Sequence, residues 1–451
     1  MLRYLRVWAL ALIALHLLST QLPIEHVWGA GGFPSLPRWA QGALALAALV
    51  GITPVVESAW RAPARWWQRA TAHWGRGRLI ELVTLLAVPA FWLGRLQHLR
   101  WGDAYIFANA ISHPEVRLTY NWQSPLSLFL HAKLWALLNA AWGLDVQTTY
   151  ALVSCLAGGM FVWLLLRTLA VWSDDQCGRV LAATMFLTLG TMQLFFGYVE
   201  SYTLLPVGIL AFLVLGLRFL DGRGSLWPAA TALAFTHSLS LSTLPLLAGL
   251  AYLALHARRG RAWSLARVAA EAAGPLLLMA AVVVAVMTAG GHGLEALLSH
   301  DAPGGGDGSW FVPLFRVETR WQHYTMFSWA HLRDILNQQL LSAPFSLSVV
   351  VGVLALRWQR IRWSDPSLRF LLVAAAAYFA LTLVWNPDYG GRRDWDLFTS
   401  AAIPLTALAV HLLNRYLDRP ERERSIVLIG AVSLMHLLPW VWFNAQPWPW
   451  D

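Results

Sequence analysis

The chain has 451 residues, 57% of them hydrophobic and 13% charged, with a mean hydropathy of +0.51. That balance excludes an ordinary soluble domain and places the chain among membrane proteins. The net charge of +9 does not point to nucleic acid, because the arginines fall in short clusters between apolar stretches, a pattern that sets topology.

The fold class read from these runs is all-α: a polytopic transmembrane protein of about 12 to 13 membrane helices plus an extracytoplasmic juxtamembrane helix. Each crossing needs roughly 20 apolar residues. The run from Met1 to Leu18 has a basic start but no small-residue cleavage site after it, and reads as a retained first helix. Arg3 and Arg6 hold the N-terminus inside, so a helix over 5–22 leads out and one over 40–59 returns to a basic loop carrying Arg61, Arg65, Arg69, Arg76 and Arg78. Residues 1–78 thus form a helical hairpin with a basic cytoplasmic loop, ahead of a transmembrane domain over 79–451.

A third helix over 79–97 leads out. The next apolar stretch, 125–142, contains His131, Lys133 and Asn139. It is read as lying flat on the membrane, since only then do all later arginine clusters fall inside. Helices over 149–169, 180–196 and 202–219 follow, with Cys155 inside the first and Cys177 in the cytoplasmic turn before the second; two cysteines give neither a disulfide framework nor metal-ligand spacing. The stretch 227–255 is too long for one span and is read as two short helices turning near His237. A helix over 268–289, a long polar loop over 290–338, and helices over 339–356, 368–385, 398–414 and 425–443 complete the chain. The Gly304–Gly308 stretch has no lysine or helix of the phosphate-loop type and reads as a flexible loop.

This threading puts five polar segments on the extracytoplasmic side. The strongest is 385–398, where Arg392 and Arg393 follow a Gly pair and Asp394 and Asp396 come next. Two adjacent arginines suit bidentate grip of a phosphate, with the carboxylates holding the guanidiniums. The alternative is an interfacial cap between helices, but positive charge on the side that normally avoids it favours binding. Asp103 is either a general base beside the membrane or the N-cap of 104–111. Glu200, between Tyr198 and Tyr202, is a substrate-contacting carboxylate or a turn residue. His237 is a ligand or a satisfied buried histidine. His331, Asp334 and Asn337, at steps of three, make either a metal- or sugar-binding face or a polar stripe where a helix enters the membrane. No serine-hydrolase, zinc-protease or Cys-x-x-Cys pattern occurs.

The order of these features resembles the C-type (GT-C) polytopic membrane glycosyltransferases, among them the protein O-mannosyltransferases and the lipid A aminoarabinose transferase. The resemblance is carried by Asp103 opening an external loop, Ser124 to Leu130, the Gly143-Leu144 turn, Gly197 to Glu200, and Arg393 to Phe398. It implies an inverting transfer of a sugar from a polyprenyl-phosphate donor to the hydroxyl of a glycan, lipid or protein acceptor. The site would face the periplasm or exterior from a bacterial inner membrane, among membrane lipids and without nucleic acid. It maps the family's base onto Asp103 and its phosphate-binding arginine onto Arg392 or Arg393. Two helices precede the acidic loop where the family usually has one, and the second acidic residue common there is missing; a divalent cation is therefore left open. The competing class is a multi-helix transporter or flippase of a lipid-linked or small polar substrate.

Overall fold

The computed structural model describes residues 1–113, 118–299 and 310–448, which fold into helices joined by short loops, with no β-strand among the described residues. The Gly304–Gly308 stretch lies outside them. Five helices are long and apolar enough to cross a bilayer: Val146–Trp172, Leu265–Ala289, Pro366–Val384, the broken Trp395–Tyr416 segment and Arg419–Asn444. Two further pairs qualify when each is taken as one span, Arg38–Ile52 with Pro54–Trp74, bent by 79°, and Trp329–Ser342 with Ser346–Arg360, bent by 102°. Five to seven helices thus meet the requirement singly or as bent pairs, where the reading from apolar runs expects 12 to 13.

The difference has a local cause. Pro54 and Pro344 follow Thr53 and Ala343 at the two bends, and a residue before proline is pushed out of the helical region. Other elements, such as Leu2–Leu18 and Leu205–Leu220, are apolar but short. The basic segment read as a loop is instead the amphipathic helix Arg61–Trp74. Pro125–Trp142 is helical as expected; its first half is buried and its distal half exposes Leu137 and Trp142. The pair of short helices about His237 is present as Trp227–Leu239 and Leu247–Gly260, joined by a 3-10 turn that starts at Leu241.

Glycines set the closest helix crossings. Gly158 and Gly159 on Val146–Trp172 leave room for Phe91 and Val88 of Arg76–Leu93, where an added Cβ would approach to 2.6 and 2.7 Å. Outward, the apolar surface stays uncovered: Leu277 and Leu278 on Leu265–Ala289 and Leu85 and Leu86 on Arg76–Leu93 are exposed, as a hydrocarbon-facing belt requires.

The long helices separate two chemically different ends. At one, Glu421 pairs with the N-terminal ammonium and Arg357, Glu57 with Arg6 and Arg424, and Glu423 with Arg61 and Arg419. Arg419–Asn444 starts among these pairs and runs 26 residues, about 39 Å at 1.5 Å per residue, to Asn444 at the opposite end. There, two satellite clusters support the loops: the aromatic group of Trp28, Trp101, Tyr198, Trp395 and Trp440, and a second group around Phe107, Leu128 and Tyr150.

Candidate functional site

Four loops meet at the Asn444 end. The segment after Arg76–Leu93 is tied down by Leu96 N–H donating to Phe196 O (2.8 Å), Gln97 N–H to Asn444 O (2.9 Å) and Gly102 N–H to Arg393 O (3.0 Å). The Trp101 indole N–H donates to Asn444 Oδ1 at 2.6 Å. Gly102 has a φ of +49°, and a Cβ there would stand 2.5 Å from Glu200 Oε1 and 2.7 Å from Asp396 Oδ2. Only glycine satisfies both the left-handed backbone and this close approach.

The carboxylates differ in what they touch. Glu200 and Asp396 are each 1% exposed. Glu200 accepts from Asp103 N–H (2.5 Å) and Ser201 N–H (2.9 Å), and Asp396 from the Tyr198 hydroxyl (3.0 Å) and Leu397 N–H (3.0 Å). Asp394 accepts from Tyr389 N–H at 2.7 Å. These three hold the loops in place. Asp103 precedes the Ala104–Ala110 helix yet makes no side-chain cap bond to it, in contrast to Asp145, Asp175, Asp365 and Asp418, which cap theirs. Its carboxylate instead receives the Tyr389 hydroxyl and lies near Arg393.

Burial pushes the Asp103 carboxyl above the usual aspartate range, while the Tyr389 hydrogen bond and the Arg393 charge pull it back down. Burial, reinforced by the Asp396 and Asp103 charges, pushes Glu200 well above the ordinary glutamate range. Burial and the Asp396 charge do the same to Asp394. Among the described residues, no group of three or more His, Cys, Asp or Glu side chains is arranged to hold a metal ion. The carboxylate oxygens of Glu200 and Asp396 are occupied by backbone N–H groups and Tyr198.

Asp103 lies on the walls of two spaces, and Tyr389 joins the smaller of them to a third. A cavity of about 640 Å³ has Asp103, Gln123 and Tyr202 near Trp385 and Leu397, with apolar walls from Phe107, Leu128, Leu244 and Phe311. A smaller space of about 80 Å³ shares Asp103, Gln123, Tyr202 and Trp385 with it and adds Glu200, Asp394 and Asp396. Tyr389 forms the wall between that space and a cleft of about 260 Å³ lined by Arg100, Arg333, Arg392 and Arg393. The Arg393 guanidinium lies 4.3 Å from the centre of the Tyr389 ring. Gly390, at φ +82°, makes the tight turn that presents this pair.

Of the residues singled out in the sequence, Asp103, Tyr198, Glu200, Arg392, Arg393, Asp394 and Asp396 come together here, and Asp334 joins them on the wall of the arginine cleft. Asp334 also accepts from the Trp28 indole at 3.0 Å. Three stand apart. His237 Nδ1 bonds Thr243 Oγ1 (2.8 Å) at the turn between the short helices. His331 Nε2 bonds Thr382 O (2.9 Å), and Asn337 accepts from Gly29 N–H (2.8 Å) and donates to His26 O (3.0 Å). These three fasten the frame around the site.

Sequence reasoning passed over Arg100, Arg333 and the Tyr389 hydroxyl. Arg100 carried the same signal as Arg392 and Arg393, a positive charge on the outward side of the threading. Comparison with protein-family models, with curated proteins and with solved structures returned no match to this chain.

Proposed function

We propose that the protein is a GT-C-like membrane glycosyltransferase, moving a sugar from a polyprenyl-phosphate donor to an acceptor hydroxyl outside the cytoplasm, in a bacterial plasma membrane. The observation that carries this reading is the position of Asp103, with no capping duty, on the wall of a large apolar cavity and separated by Tyr389 from an arginine cleft. An isoprenoid chain suits the apolar cavity, a phosphate suits the guanidiniums, and a carboxylate between them suits a hydroxyl that must lose its proton.

In this mechanism the acceptor oxygen attacks the anomeric carbon as its proton passes to Asp103. The bond from that carbon to the phosphate oxygen breaks, and the electron pair leaves with the phosphate, whose growing charge the arginines stabilise. Attack from the face opposite the leaving group inverts the anomeric centre. Glu200 acts through Asp103 rather than on the substrate, fixing the turn by its bond to the Asp103 N–H.

The test is sugar transfer by the purified protein in lipid vesicles, from radiolabelled polyprenyl-phosphate sugars to lipid and glycan acceptors. Asp103→Asn should lower turnover by about 10²- to 10⁴-fold, the usual contribution of a general base, and Arg393→Ala should also cripple it, both with unchanged thermal unfolding. Full turnover in both variants would remove the mechanism.

A further inference from the structure

The arginine cleft carries more positive charge than a single phosphodiester needs. Arg100, Arg333, Arg392 and Arg393 line it with two carboxylates, Glu25 and Asp334, an excess of two positive charges on its wall, with Asp103 beyond Tyr389 as the further neighbour of Arg393. None of the four arginines forms a salt bridge among the described residues, although elsewhere in the protein arginines pair freely with glutamates. Arg100 Nη1 and Arg333 Nε are buried without an acceptor. Such nitrogens also occur on Arg6, Arg357 and Arg422, but those guanidiniums are held by carboxylates, whereas Arg100 and Arg333, the latter bonded to His26 through Nη1 at 3.1 Å, have no carboxylate partner and leave donors open to an anion. Three of the guanidiniums also lie within reach of one another: burial, and after it the charges of Arg392 and Arg393, lower the Arg100 pKa. The local fold sustains this repulsion with aromatic support, Arg100 lying 3.8 Å from the Trp448 ring centre and Arg393 over Tyr389. Trp28 and Trp101 complete the wall.

A polyprenyl monophosphate sugar presents one negative charge to this cleft. A diphosphate linkage presents two, with more oxygens to accept hydrogen bonds, and matches the excess of positive charge and the number of guanidiniums on the cleft wall. We propose that the Arg100/Arg333/Arg392/Arg393 cleft is a diphosphate site, and that the lipid-linked substrate of this protein carries a diphosphate rather than a single phosphate. This rests on the glycosyltransferase reading and refines its donor. Transfer then breaks the bond between the anomeric carbon and the proximal phosphate oxygen, and a lipid diphosphate leaves with the electron pair.

The experiment is isothermal titration calorimetry of the full chain in nanodiscs with four probes: farnesyl diphosphate, farnesyl monophosphate, inorganic pyrophosphate and inorganic phosphate. Farnesyl diphosphate should bind at least about tenfold more tightly than the monophosphate, the value of one further charge-assisted hydrogen bond. It should also exceed inorganic pyrophosphate, because the chain adds apolar burial. Arg100→Gln with Arg333→Gln should erase the preference for diphosphate; single Arg100→Lys, which keeps the charge but not the fork, should retain part of it and serves where the double variant fails to fold. Equal affinity for the two farnesyl probes overturns the inference. Equal affinity for farnesyl diphosphate and pyrophosphate overturns its lipid part and leaves a site for free diphosphate. If diphosphate preference is absent while sugar transfer from monophosphate donors proceeds, the inference fails and the glycosyltransferase reading stands.

Discussion

Asp103 is a carboxylate with opposing neighbours. Burial raises its pKa, and the Tyr389 hydroxyl and the Arg393 charge lower it. Because the base form exists only above that pKa, kcat/KM should fall as the pH drops through it, giving an acid limb above the pH where an exposed aspartate would titrate. Tyr389→Phe removes one of the two lowering influences, so the limb should move to higher pH. The pH profile of sugar transfer checks this, and a limb that stays put or moves down would separate Tyr389 from Asp103. The sequence could name Asp103, Arg392 and Arg393 because charge on the outward side of a membrane is costly and therefore informative. It could not assign Asp103 between capping and catalysis, since both need an aspartate before a short helix. The choice depends on Glu200 taking the backbone N–H and Tyr389 taking the side chain, which are contacts 97 and 286 residues away along the chain.

Among the elements, the Arg419–Asn444 helix links the ion-pair end to the loop that bears Asp103. Its last residue accepts the Trp101 indole N–H through Oδ1 and the Gln97 N–H through its carbonyl. Asn444→Ala leaves the buried Trp101 N–H without an acceptor, a cost of about 1–3 kcal/mol. The variant should unfold at lower temperature in detergent and turn over more slowly, while Leu434→Ala, at an exposed position on the same helix, should change neither much. Stability and turnover both at parent levels would mean that the 97–103 loop is held by other contacts. Apolar runs located most of these helices, including the pair that turns after His237, because a membrane segment leaves a long uniform signal. They missed the Arg61–Trp74 helix, whose charges resemble a loop until Arg61, Arg65 and Arg69 are read at helical spacing. They also ran a helix over 339–356 straight across Pro344, where the backbone turns by 102°.

At the scale of the whole molecule, the Asp103 turn, the Tyr198–Glu200 turn, Asp334 and the double-arginine loop occupy one end, and the Arg–Glu ion pairs occupy the other. Surface ion pairs contribute little stability individually, and the arginine clusters at the second end are the feature from which the sequence reading expects that end to lie inside. The proposed function requires the carboxylate and arginine cluster to face outward, with the ion-pair end inside. Labelling can test the orientation cleanly, because both native cysteines are buried and should react little with a membrane-impermeant maleimide. Gln21→Cys, exposed beside the site end, should be labelled in intact cells; Arg69→Cys, exposed on the helix at the ion-pair end, should be labelled only after the membrane is permeabilised. The reverse pattern would turn the site toward the cytoplasm and require a donor presented there. Labelling of both positions in intact cells would show that the long helices do not carry the chain from one face to the other.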